Sequence, residues 1–499
     1  MSALPGDALP RPLPARTVAI AEGDGIGPEI MAATRRVLAA ADPGLTFHEV
    51  PLGLKAYESG HAAGIAPEAL EAVSMHGVLL KAPLATPQGG GYKSVNVTLR
   101  KTLGLFANVR PCVAYHPVLP AAHPRMDLVV VRENEEDTYA GIEHRQTHEV
   151  TQCLKLITRP GCERIVRHAF EYARTHGRRK VTCMTKDNIM KLTDGLFHAV
   201  FDEVAREYPD IANEHMIIDI GTARVATRPR DFDVIVTPNL YGDILSDVAA
   251  EVAGSIGLAP SANIGFNAAM FEAVHGSAPD IAGHDLANPS GLLLSAVMML
   301  VHLGRPGPAT AIHNAWLRTL EDGIRTSELA AQRDTRVVGT QAFAKEVVAR
   351  LGLRPERLPA VAYPEASGRQ AAPSAAAPRF PAPVREEKTL EGTDVFLHWD
   401  APGRAPRALA QQVEAIAGPE YVLELVTNRG VRVYPGGHGQ TLCSDHWRCR
   451  LRPATGGTLD RTSLARLLER AAAAGLDVIK TENLYAFGGK AGYSQAQGA

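Results

Sequence analysis

Short apolar runs alternate with amphipathic stretches through the first 350 residues of the chain. Thr17-Val-Ala-Ile-Ala21 reads as a buried strand, and Glu29 to Ala40 follows with the period of a helix. Gly77–Lys81, Asp127–Val131, Lys180–Met184 and Asp233–Thr237 are further strand candidates. Most are followed by a polar or glycine-containing turn and then by a helical pattern. This alternation predicts an α/β fold with buried sheets.

The pattern breaks at Arg354. Ala366 to Pro383 is rich in proline and alanine with no apolar period, so residues 354–389 read as a linker. A strand restarts at Asp394–Trp399, then a helix at Arg407–Ile416 and strands at Tyr421–Thr427, Val431–Tyr434 and His446–Leu451. A helix at Arg461–Ala474 and a strand at Asp477–Glu482 close the chain. One helix on either side of a run of strands predicts a small α+β domain over residues 390–499, ferredoxin-like in order.

A chain of 499 residues exceeds one hydrophobic core, so several domains are expected. A net charge of −2 removes any global electrostatic case for nucleic acid or an anionic membrane, and an anionic substrate must be met by a local arginine cluster. Met1–Arg16 has no apolar core, unlike a secretory signal, and no apolar run reaches the length of a membrane span. The six cysteines (Cys112, Cys153, Cys162, Cys183, Cys443, Cys449) form no CxxC pair, which argues for free thiols in a cytoplasmic protein. Cys443, His438 and His446 are expected to be ordinary surface or core residues rather than ligands.

Three features carry candidate chemistry. Gly23-Asp-Gly-Ile-Gly-Pro-Glu29 joins a strand to a helix but lacks GxGxxG spacing, so a nucleotide turn and a plain tight connection both stay open. Arg100, Arg110 and Arg132 lie close in sequence beside apolar or turn residues. With the Ser94 hydroxyl they would suit a polycarboxylate; pairing with Glu133, Glu135, Glu136 or Asp137 is the alternative. Asp243 and Asp247, at i and i+4, share one helix face and would suit Mg²⁺ or Mn²⁺. A solvated acidic face remains equally open from spacing alone.

Ser94-Val-Asn96 with Arg100, Asn108-Val-Arg-Pro111, and Arg132-Glu-Asn with Tyr139-Ala-Gly141 closely resemble motifs of isocitrate dehydrogenases, within the isocitrate/isopropylmalate (β-decarboxylating) dehydrogenase family. The resemblance spans roughly Arg16 to Arg350. It implies a large domain from residues 1–105 and 255–353, and a small domain from residues 106–254 with a dimer-contact clasp near residues 138–162. It also implies that Ser94, Asn96, Arg100, Arg110 and Arg132 hold the carboxylates of isocitrate. Isopropylmalate enzymes carry apolar residues where Ser94 and Asn96 stand, so this pair favours isocitrate. Asp219 is implied as a third metal acid reaching across a subunit interface, beside Asp243 and Asp247. Lys186 and Tyr139 are implied as the proton-transfer pair, in a homodimer or tetramer with shared sites.

Glu272 to Gly283 resembles the family's adenosine loop, which implies cofactor contacts from His275, Gly276, Ala278, Asp280 and Ile281, with Asn288 beside the adenine and Thr86 near the nicotinamide. NADP-using bacterial relatives carry Lys and Tyr where Asp280 and Ile281 stand. An acid there can accept from the ribose hydroxyls of NAD but repels a 2′-phosphate. Like charges about 4 Å apart cost roughly 1 kcal/mol in water and about 4 at an effective dielectric of 20, so NAD is expected. Arg333 or Arg336 would have to swing in to serve NADP. Thr427-Asn-Arg-Gly430, Val433-Tyr-Pro435, His446–Arg450 and Gly492–Gly498 resemble the C-terminal extension of the longer bacterial isocitrate dehydrogenases, with an oligomer-stabilising or regulatory role. The rival readings are a homoisocitrate, isopropylmalate or tartrate enzyme of the same family, or a non-catalytic regulatory subunit. The presence of Tyr139, Lys186, Asp219, Asp243 and Asp247 argues against the last.

Overall fold

The computed structural model describes residues 17–86, 93–330, 335–364, 385–454 and 459–496. The readings of Met1–Arg16, Arg333 and the Pro/Ala-rich segment Ala366–Pro383 lie outside these residues. The described chain forms two compact units, one of residues 17–140 and 156–364, the other of residues 141–155 and 385–496.

The first unit is built on one ten-stranded sheet. Its strands are β1 (Thr17–Ala21), β2 (Thr46–Glu49), β3 (Val78–Lys81), β4 (Ala107–Val113) and β5 (Asp127–Glu133). After a separate hairpin, β6 (Glu143–Arg145) and β7 (Thr151–Cys153), come β8 (Lys180–Thr185), β9 (Ala212–Ile217), β10 (Val234–Thr237), β11 (Pro260–Ile264) and β12 (Ala269–Ala273). The spatial order is β2-β1-β3-β12-β11-β4-β5-β10-β8-β9. Residues 17–105 and 255–353 supply one half and residues 106–254 the other, meeting where β11 pairs antiparallel with β4.

Period-two alternation explains the continuous apolar runs. Val18 and Ile20 of β1, and Val129 and Val131 of β5, enter the main core, while Ala19 and Ala21, and Leu128 and Val130, enter cores on the opposite face. Both faces are covered, so both sets of positions are apolar along most of these strands. The helix Ser290–His302 is buried along almost its whole length. Short β13 (Ile324–Arg325) and β14 (Arg336–Val337) pair beside the helix Thr340–Ala349.

The expected linker starts later than its composition suggested. Leu358 is buried, Asn314 exchanges two hydrogen bonds with the Val361 backbone (2.8 and 2.9 Å), and Tyr363 N donates to Thr310 Oγ1 at 3.0 Å. Side chains of the helix Pro306–Glu321 thus pin residues that look like loop, because Leu358, Val361 and Tyr363 bring apolar surface to bury.

The second unit holds β15 (Lys388–His398), β16 (Tyr421–Asn428), β17 (Val431–Tyr434), β18 (His446–Pro453), β19 (Asp477–Phe487) and β20 (Lys490–Ala491), in the order β17-β16-β18-β15-β19-β20. With helices Pro406–Ala417 and Arg461–Ala473, the strands β19-β15-β18-β16 make the ferredoxin-like antiparallel order, extended at both edges. Trp447, Cys449, Leu409 and Leu467 fill its core. Buried Arg450 is held by both oxygens of Asp394, at 2.7 and 2.9 Å. The β6–β7 hairpin, expected as part of the small domain, belongs to this unit. Thr147 Oγ1 and His148 N donate to Asp445 at 2.5 and 3.1 Å, and Arg404 grips Glu149 at 2.7 and 2.9 Å.

All six cysteines are free thiols. Among the described residues no helix is long and apolar enough to cross a membrane.

Candidate active site

Alternation along the central strands gathers polar side chains on one buried face. Lys81 ends β3, Glu272 lies on β12, Asn263 on β11, Asn108 and Arg110 on β4, and Arg132 on β5. Register sets Asn263 opposite Asn108 and Asn108 opposite Arg132, so these side chains point the same way. All of them are buried. Glu272 pairs with Lys81 and with Arg100, the latter at 3.0 Å, and accepts from Asn263 Nδ2 at 2.8 Å. Asn108 Nδ2 donates to Asn263 Oδ1 at 2.9 Å, and Asn108 Oδ1 accepts from Arg110 Nε at 2.6 Å. Burial alone would raise Glu272, yet Lys81 and Arg100 hold its carboxyl well below the usual range.

The helix Asn239–Ala253 crosses this face and brings the acids. Arg132 Nε and Nη2 donate to Asn239 Oδ1 at 3.0 and 2.7 Å, and its Nη1 pairs with Asp243. Arg110 reaches Ser246 Oγ at 2.7 Å, Asp247 at 3.3 Å and Asp243 at 3.4 Å. The Tyr139 hydroxyl donates to the other Asp243 oxygen, and the Arg132 guanidinium lies 4.9 Å from the Tyr139 ring centre. The arginine side chains are almost fully buried, whereas those of Asp243 and Asp247 are 36% and 52% exposed, so the cluster opens outward through its carboxylates.

Burial, with Arg110 and Arg100 alongside, pulls Arg132 down to about 10, leaving it cationic at neutral pH. Burial works to raise Asp243, but Arg132 and Arg110 hold it below its ordinary value. Burial raises Asp247; Arg110 opposes this and Asp243 adds to it. Burial also raises Tyr139, which therefore keeps its proton at neutral pH.

Asn96 Oδ1 and, one helical turn on, Arg100 Nε are buried without a hydrogen-bond partner among the described residues. Such atoms cost about 1–3 kcal/mol each unless a ligand satisfies them. Ser94 precedes the helix Val95–Thr102 without capping it, and its hydroxyl accepts from Thr86 Oγ1 at 3.3 Å. The donor chemistry fits the groups expected here. Guanidinium and amide suit carboxylates, and two carboxylates one helical turn apart suit a hard divalent ion.

Lys186 and Asp219 stand differently. Lys186 Nζ pairs with Asp219 at 2.7 Å, and Lys186 N donates to Asp194 at 2.7 Å. Neither shares a hydrogen bond or ion pair with the Arg110–Arg132–Asp243 cluster among the described residues. Of the three acids expected at the metal, Asp243 and Asp247 share one helix turn and an arginine, and Asp219 lies apart on Lys186.

The glycine turn is a packing device. Gly25 has φ +59°, and a Cβ there would lie 2.0 Å from the Ser277 carbonyl oxygen, which accepts from Ile26 N at 2.9 Å. Asp24 accepts from Leu54 N at 3.0 Å and Ala85 N at 2.8 Å, so the turn holds the Thr86 segment and the loop 274–283 together. On that loop Gly276, Ala278, Asp280 and Ile281 are exposed, and Ala278 takes φ 36°. His275 Nε2 and Asn288 Nδ2 are buried without partners among the described residues, and burial lowers the His275 ring below its ordinary value. Asp285 anchors the Gly339–Thr340 turn, accepting from Thr340 N at 3.0 Å and Gln341 N at 2.8 Å. Arg336 is paired with Glu346 at 3.0 Å.

Sequence reasoning assigned no role to Lys81, Glu272, Asn263, Asn239 or Ser246. The available signal was an ionisable residue within each of two otherwise apolar strands, Val78–Lys81 and Ala269–Ala273. A buried charge there requires a partner.

Comparison with known proteins shows the family. A family model described as isocitrate/isopropylmalate dehydrogenase matches residues 17–347, and one described as the C-terminal domain of bacterial isocitrate dehydrogenase matches residues 388–499. The chain is 51% identical to the isocitrate dehydrogenase [NADP] of Rickettsia bellii (strain RML369-C), over 96% of this chain and 99% of that one. It is 46% identical to isocitrate dehydrogenase [NAD] subunit 2, mitochondrial, of Saccharomyces cerevisiae, over 67% of this chain and 90% of that one. A crystal structure of a Thermus thermophilus protein superposes with a TM-score of 0.90 at 42% identity, covering 97% of this chain and 96% of that one. Motifs, fold and both domain matches make this chain a member of the isocitrate/isopropylmalate dehydrogenase family, carrying the C-terminal domain of the bacterial isocitrate dehydrogenases.

Proposed function

We propose that this chain oxidatively decarboxylates isocitrate to 2-oxoglutarate and CO₂, with NAD⁺ as hydride acceptor and Mg²⁺ or Mn²⁺ as the metal. The observation that carries the reading is the buried face on which Arg110 and Arg132 meet Asp243 and Asp247 and Arg100 meets Glu272, together with the unpartnered Asn96 and Arg100 atoms. With Lys81 and Glu272 included, four cations face three carboxylates. A divalent ion would raise the net charge from one to three positive, matching a fully ionised tricarboxylate. The polar Ser94 and Asn96 suit a third carboxylate better than an alkyl group, which separates isocitrate from isopropylmalate.

Asp243 and Asp247 would hold the metal, with Asp219 of a neighbouring subunit as third acid. The bound ion supplies Lewis acidity, and the nicotinamide supplies the hydride acceptor. The arginines fix the carboxylates, so that the C–H bond to be broken faces the cofactor loop. Lys186, delivered by the neighbouring subunit of a homodimer, assists the loss of the substrate hydroxyl proton. Tyr139, kept protonated by burial, returns a proton to the carbon that loses CO₂.

The cofactor reading rests on exposed Asp280, which makes no ion pair among the described residues, and on Arg336 being engaged by Glu346. The Rickettsia relative is named for NADP and the yeast one for NAD. Turnover with NAD⁺ against NADP⁺, at saturating isocitrate and Mg²⁺, decides between them. Preference for NAD⁺ supports the role of Asp280, and equal or better use of NADP⁺ overturns it.

A further inference from the structure

Three segments bring metal-ligating side chains together away from the arginine face. Asp187 follows the end of β8, His198 lies on the helix Thr193–Ala205, and His215 is on β9. His198 Nδ1 is 2.7 Å from Asp187 Oδ2, and His215 Nε2 is 3.8 Å from Asp187 Oδ1. One ligand atom from each residue lies within 4.8 Å of the others. The two imidazoles stack with centroids 3.6 Å apart and planes 16° from parallel. Donors at about 2.0–2.1 Å around a tetrahedral Zn²⁺ stand roughly 3.3 Å from one another. The separations of 2.7 and 3.8 Å bracket that value, and the stacked rings must tilt apart for both nitrogen lone pairs, which lie in the ring planes, to aim at one ion.

The surroundings of His198 point the same way: its second nitrogen, Nε2, lies 3.7 Å from Asp202 Oδ2, while His215 Nε2 is 2.8 Å from Thr185 Oγ1, a hydrogen bond that the ion would replace. An outer carboxylate on the far nitrogen of a ligating histidine is the usual way of orienting the ring. The side chains of Asp187, His198 and His215 are 20%, 28% and 16% exposed, which leaves an entry path. A plain Asp–His hydrogen bond would need only one of the two histidines.

We propose that Asp187, His198 and His215 bind one divalent ion of the zinc class, with Asp202 orienting His198. The site is distinct from the Asp243–Asp247 pair and does not depend on the reaction proposed above. Imidazole ligands select zinc-class ions over Mg²⁺, so the two sites sort metals by ligand chemistry. Bound metal would tie the segment carrying Lys186 to β9 and raise the melting temperature.

The test uses the full-length, tag-free chain, stripped of metal and held in excess Mg²⁺ to fill the oxygen-ligand pair. Titration with Co²⁺ should give one equivalent per chain with a visible ligand-field band, displaced by Zn²⁺. His198→Gln and His215→Gln should each weaken that binding by more than about tenfold, because even outer ligands contribute ~10–100-fold. Asp243→Asn should leave it intact. A parental chain that gives no band overturns the proposal without recourse to any variant. A band that survives in both folded histidine variants, or disappears in Asp243→Asn, overturns it as well.

Discussion

Glu272 is where the arginine face can be broken by one atom's worth of chemistry. Glu272→Gln keeps the shape but leaves Lys81 and Arg100 buried beside a neutral group. Breaking a buried pair in this way costs about 3–5 kcal/mol, measurable by urea unfolding. The pH dependence has a fixed sign. Lys81 and Arg100 hold the carboxyl below its unfolded value of about 4.3, so its stabilisation is complete above that pH and lost as pH falls through the folded pKa. The gap between parent and variant should therefore narrow only below about pH 4.3. At the same scale, Tyr139→Phe removes the proposed proton donor to carbon and should lower kcat by about 10²–10⁴. Asp280→Lys with Ile281→Tyr should move preference toward NADP⁺, seen as a reversal in the ratio of kcat/KM values.

Elements differ in how far their residues announced them. Strands buried on both faces, such as β1, β3, β5, β8 and β10, were visible as apolar runs. β4, β11 and β12 were not singled out as strands, because β4 and β11 turn Asn108, Arg110 and Asn263 inward and β12 turns Glu272. β9 was hidden for another reason: it is the sheet edge and stays partly polar. Three of the five strands that build the site, β4, β11 and β12, are thus interrupted by the polar residues they turn inward. The arginines and the Asp pair were legible because each sits in a short local motif. The Lys81–Glu272–Asn263 network and the Asp187–His198–His215 cluster join distant segments, which no spacing rule reveals. The β6–β7 hairpin offers an element-scale test. Asp445→Ala would strip the acceptor from Thr147 and His148, costing about 1–3 kcal/mol. Limited proteolysis should then cut within residues 141–155 faster than in the parent.

For the whole molecule, the pairing of Lys186 with Asp219, unlinked to the Asp243 cluster, fits the proposed exchange of side chains between subunits. Co-expressed Tyr139→Phe and Lys186→Met chains should recover roughly a quarter of parental activity, since half the dimers are mixed and each mixed dimer holds one intact site. A fully active monomer would contradict the shared site. The central claim is substrate chemistry, and the direct measurement is a panel of isocitrate, homoisocitrate, 3-isopropylmalate and tartrate with NAD⁺ and Mg²⁺. NADH, CO₂ and 2-oxoglutarate should form in equal amounts from isocitrate, with the other substrates far slower. No turnover of isocitrate by the purified chain, or equal use of 3-isopropylmalate, would contradict it.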